Sequence, residues 1–203
     1  MPYNHFALAA ALRLRNLSIM RQLLLVLMLL GGVCSVSAAD SALTTNSVIV
    51  GKKGTLQIVT PTDWTFAQTN TPGAPAYAVF YSPSNSIGIN VWVYWDGFGK
   101  TNTVPTQADF EQIVSNACAR SYEPISIERK TVLEELQGPA VTGTFARFTD
   151  AKWTPMLKDY PNVASGMFRS GNLWGRFNLV TYDKDGPLFK QGLKILESIR
   201  HEP

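Results

Sequence analysis

Imidazole is scarce in this chain: its two histidines are His5, near the start, and His201, near the end. Ser-His-Asp and Cys-His catalysis each need an imidazole held within hydrogen-bond reach of a nucleophile. His201 is a poor general base, because chain ends fray. The same shortage argues against a zinc site built from His and Cys. Carboxylates are the acid/base groups that remain. Asp183-x-Asp185-Gly186 begins like a calcium loop but lacks the third acidic position and the later glutamate. It reads better as a turn before a helix N-terminus, where acids suit the dipole. Glu134-Glu135 with Asp96 is an acid/base set in principle, yet adjacent acids on a strand face opposite ways. Gly97-Phe98-Gly99-Lys100 lacks the second half of a phosphate loop. No catalytic residue, metal or cofactor is expected.

The positive signal is aromatic and cationic. Trp92, Tyr94, Trp153, Tyr160 and Trp174 occur with Lys152, Arg169 and Arg176, and Trp, Tyr and Arg carry much of the energy of interfaces. The candidate binding surface is Lys152, Trp153, Tyr160, Arg169, Trp174 and Arg176. Against it stands a plainer reading, in which Trp92 and Tyr94 pack under a helix and Trp153 staples its own loop. Residues 150–161 form a long aromatic insertion without a period, the kind of loop that carries function in a small domain.

The first part of the chain reads as an address rather than as fold. Arg13, Arg15 and Arg21 precede an apolar run over residues 23–33, followed by small residues and Asp40. This is the pattern of a secretory signal peptide over residues 1–39, too short for a transmembrane helix of about 20 residues. Met20 is an alternative start. Cys34 stands where a lipid-anchored cysteine would stand, but Val33, not a small residue, precedes it. Removing 1–39 takes three basic and no acidic residues from 18 and 15, leaving 15 against 15 and no net charge. Neither nucleic acid nor an anionic membrane surface is then expected as a partner. The remaining 203 − 39 = 164 residues suffice for one domain with its own core. Cys118 is their one cysteine, so no internal disulfide forms; it reads as a buried thiol, with a reactive or dimer-forming thiol as the alternative.

The elements that must position these residues follow from periodicity. Residues 40–48 read as a flexible leader and 49–203 as the domain. Short strands are expected at 49–50 and 55–59 around Gly51-Lys52-Lys53-Gly54, and Trp64 as a core plug. Strands follow at 77–82 and at Ile87–Trp95. In the latter both alternating sets are apolar or aromatic, which predicts cover on both faces. Thr106 with Asp109 predicts a capping box ahead of the stripe Phe110, Ile113, Val114, Ala117 and Cys118. Strands are then expected at 125–133 and 141–149, a hairpin at 163–169 and 173–182, and a last helix from Pro187.

This order is α+β. Pro61-x-x-Trp64, Phe80-x-Ser82-Pro83 and Ile195-Leu196-x-Ser198-Ile199 resemble the PsbP-like superfamily, which includes Mog-type Ran-binding proteins and bacterial DcrB-like periplasmic proteins. The resemblance implies an antiparallel sheet of about six to seven strands with helices packed on both faces, an α/β/α sandwich. It brings no catalytic signature and implies a binding role by analogy. The expected function is therefore a periplasmic or secreted, non-enzymatic binding or accessory domain recognising an envelope protein or small ligand. A carboxylate-based hydrolase of glycans and an inhibitor of a secreted enzyme are the alternatives.

Overall fold

The computed structural model describes residues 42–95, 105–155 and 159–203. The expected signal segment with Met20 and Cys34, together with Asp96 and residues 97–100, lies outside the described residues.

Strands β1 (Leu43–Ile49), β2 (Thr55–Pro61), β3 (Thr65–Thr69), β4 (Ala76–Tyr81) and β5 (Ile87–Trp95) lead to helix α1 (Gln107–Ser121). Then come β6 (Leu133–Gln137), β7 (Thr142–Thr149), β8 (Asn162–Ser170), β9 (Leu173–Thr181), helix α2 (Pro187–Glu197) and β10 (Arg200–Glu202). The larger sheet has seven strands in the order β3-β4-β5-β9-β8-β7-β6, all antiparallel. A second sheet has three, β1-β2-β10. The fold is thus mixed α+β, a seven-stranded antiparallel sheet with a three-stranded sheet and two α-helices among the described residues.

Alternation explains the main core. Ile87, Ile89, Val91 and Val93 point one way from β5 and are buried, with Phe177 and Leu179 beside them on β9. Phe189, Ile195 and Leu196 of α2 and Val48, Leu56 and Ile58 of the small sheet complete this cluster. At Gly192, α2 comes so near the sheet that an added Cβ would run into Leu179. The other alternate side chains, Ala146 and Phe148 on β7 and Met167 on β8, pack with Phe110, Val114 and Cys118 of α1. Asn90, Trp92 and Tyr94 on β5 stay half-buried. The full cover expected on both faces of that strand is therefore present on one face alone.

The capping box is realised. Thr106 Oγ1 accepts from Asp109 N–H at 3.2 Å, and Asp109 Oδ2 accepts from Thr106 N–H at 2.7 Å. Gly171-Asn172 joins β8 to β9 as a two-residue turn with Gly171 at φ 56°, a conformation that favours glycine. Two further expectations fail. Residues 43–48, read as a flexible leader, form most of β1 and pair with β2 over its length. No strand runs through 125–133: Ser126 forms an isolated bridge with Asp150, and Arg129 turns the chain at φ 53°. Ile125 and Ile127, whose alternation suggested the strand, are 50% and 64% exposed.

Candidate binding surface

The six expected surface residues fall into two groups at opposite ends of the β8–β9 hairpin. Lys152, Trp153 and Tyr160 lie in the β7–β8 connection, by the Asn162–Thr181 pair. Arg169 and Trp174 flank the turn, seven residues along each strand. At about 3.3 Å per residue the ends are roughly 25 Å apart.

Of the expected insertion, residues 156–158 lie outside the described residues, and the aromatic side chains on either side of them hold to their neighbours. Trp153 Nε1 donates to Asp159 O at 2.8 Å. Its ring meets Tyr182 edge-on at 6.3 Å, and Tyr160 packs on the same Tyr182 at 5.1 Å. Burial, with Tyr182 and Tyr81 nearby, pushes the Tyr160 phenol up. These rings bind the insertion to the end of β9, while Lys152 stays exposed.

The other group belongs to a longer strip on the half-covered face of the larger sheet. Tyr77, Trp92 and Arg176 stand directly opposite one another on β4, β5 and β9. The Tyr77 and Trp92 rings are 5.0 Å apart, and Arg176 Cζ lies 5.9 Å from the Trp92 centroid. One step along the strands, Tyr94, Trp174 and Arg169 form a parallel row, in which Tyr94 and Trp174 stack at 4.5 Å. Trp174 leans against the α1 cluster, while Arg169 and Arg176 are exposed. A polar row of Asn90, Asn178 and Ser165 adjoins the strip. Tyr77 Oη donates to Asn90 Oδ1 at 2.8 Å, and burial, with Tyr81 nearby, pushes that phenol up. Asn178 Oδ1 is buried with no hydrogen-bond partner among the described residues. Residue types grouped Arg169, Trp174 and Arg176 with Lys152, Trp153 and Tyr160; register across four strands sets the first three instead beside Tyr77, Trp92 and Tyr94.

Three of the carboxylates hold neighbouring elements. Asp183 accepts from Leu188 N–H at 3.0 Å and Phe189 N–H at 2.9 Å, capping α2 as the turn reading implied. Arg147 pairs with Glu134 at 2.5 Å and also with Asp185, and burial, which lowers its pKa, is outweighed by these partners, which raise it. Arg147 thus stands between Glu134 and Asp185. Among the described residues no three His, Cys, Asp or Glu side chains gather as metal ligands would. His201 is tied down rather than frayed: its N–H donates to Ser170 Oγ at 2.8 Å, and Nε2 lies 3.0 Å from Lys53 O.

No protein-family model and no curated protein matches the chain. Among solved structures, the solution structure of cyanobacterial PsbP (CyanoP) from Synechocystis sp. PCC 6803 is similar to it. The likeness covers 82% of this chain and 96% of that one, with a TM-score of 0.49 and 10% identity.

Proposed function

We propose that this chain is an exported, non-enzymatic binding domain that docks a protein partner on the aromatic and arginine strip of its larger sheet. The observation that carries the reading is the register that sets Tyr77, Trp92 and Arg176 beside Tyr94, Trp174 and Arg169 on a face α1 covers only in part. Rigid aromatic rings flanked by exposed guanidinium groups form a surface that gains much from desolvation and selects acidic groups at its rim. The arginine-flanked apolar run before residue 34 supports export. The short motifs resembling Mog-type and DcrB-like proteins favour a binding role by analogy.

The test is capture from envelope extract by the purified protein and two variants. Trp92→Ala with Arg176→Ala is expected to lose the partner while retaining a cooperative unfolding transition. Trp153→Ala, at the far end of the hairpin, is expected to keep it. Loss with Trp153→Ala alone would move the contact to the 150–161 insertion. Equal recovery by the well-folded double variant would refute the strip. Detection of the protein only in the cytoplasmic fraction would refute export.

A further inference from the structure

A cavity of about 400 Å³ lies between the turn after β1 and the loop after β3, away from the residues of the strip. Ile49, Val50, Ala76, Pro72 and Trp95 give it an apolar lining, and Lys52 and Lys53 are its charged residues. Among its described lining residues none is acidic. Both walls are fixed. Val50 N–H donates to Gly54 O at 3.0 Å, and Lys53 N–H to Val50 O at 3.1 Å, closing the lysine turn. The Gln68 amide spans the two walls: Nε2 donates to Ile49 O at 2.8 Å and Oε1 accepts from Ile49 N–H at 3.1 Å. Gln68 Nε2 also reaches Asn70 Oδ1 at 2.6 Å, carrying the brace into the β3–β4 loop. A preformed apolar hollow with a few oriented polar groups is the usual form of a small-ligand site, and its rigidity lowers the ordering cost of binding.

We infer that this cavity binds a small amphipathic anion, its apolar body against Trp95, Ile49, Val50 and Ala76 and its charge at Lys52 and Lys53. A hollow of this size is at the small end of those that take small organic ligands. That fits a medium-length aliphatic or monocyclic aromatic carboxylate. The two exposed lysines, the charged groups among the described lining residues, favour an anion over a neutral or cationic molecule of the same shape.

Octanoate, octan-1-ol and octylammonium, titrated into the purified protein, test this by backbone amide shifts at Gly51, Gly54 and Gly73. Octanoate is expected to shift these amides saturably, octanol to bind about fivefold more weakly, and octylammonium more weakly still. Lys52→Gln with Lys53→Gln, both at exposed positions, is expected to bring octanoate down to the affinity of octanol. Equal binding of octanoate and octanol, shifts confined to other residues, or a preference that survives the double variant would each overturn the inference. Those lysines lie outside the sheet strip, so the partner-docking reading is tested separately.

Discussion

Cys118 is one residue whose behaviour follows directly from its surroundings. It is buried between α1 and the sheet, and burial, reinforced by Glu123 and opposed by Arg176, pushes its thiol up to about 11. The thiolate is the reactive form, so a thiol reagent is expected to leave the native protein unlabelled near neutral pH and to label it stoichiometrically in denaturant. Fast native labelling would show that α1 opens readily. Glu128 shows the reverse balance: burial raises it, but bonds from Lys184 Nζ at 2.6 Å, Thr149 N–H at 2.8 Å and Thr149 Oγ1 at 2.9 Å outweigh burial and hold its carboxyl below the ordinary range. A carboxyl whose pKa is lower folded than unfolded stabilises fully above its unfolded value, and that contribution fades as pH falls through the folded one. Glu128→Gln is thus expected to lower Tm near neutral pH, with the gap to the wild type closing on acidification; a gap constant with pH would exclude this. At Gly171 an added Cβ would meet the left-handed backbone and His201 Nδ1 at 2.6 Å. Gly171→Ala should cost about 1–3 kcal/mol in urea unfolding.

At the scale of elements, legibility tracks burial. β4, β5 and β7 to β9 announce themselves because alternate side chains reach a core. α1 does so because Thr106 and Asp109 close a capping box ahead of Phe110, Val114 and Cys118. Thr106→Ala should destabilise by about 1 kcal/mol, read as a lower urea midpoint at unchanged slope. The misses share a cause. In β1 only Val48 is buried, so LTTNSVI looks like a polar leader although its threonines, valine and isoleucine suit an extended chain. β3 alternates around a single half-buried aromatic, Phe66, which stacks on Phe80 at 5.0 Å. The 125–127 stretch has the alternation without the burial, and β6 begins later, where Leu136 reaches the core. The strip was legible as residue types and not as a place, because register across four strands assembles it. The lysine-lined cavity left no sequence signal, being built from two turns distant along the chain.

At the scale of the whole molecule, the small sheet ties the beginning of the domain to its end. β2 is its middle strand, with β1 on one side and β10 on the other. Gln57 Nε2 donates to Glu202 Oε2 at 3.0 Å across 145 residues, and Ser198 Oγ accepts from Val59 N–H at 2.9 Å. A chain beginning at residue 50 would lose fully buried Val48 and the whole β1–β2 ladder. Its unfolding free energy should fall by at least about 2 kcal/mol, measured by denaturant titration, and an unchanged value would show β1 to be dispensable. Pairings this remote in sequence close late. A polypeptide emerging from the ribosome exposes β2 long before its mate β10, since Gln57 and Glu202 lie 145 residues apart. The tail of the chain thus acts as the clasp of a bracelet: once it arrives, the loop is shut.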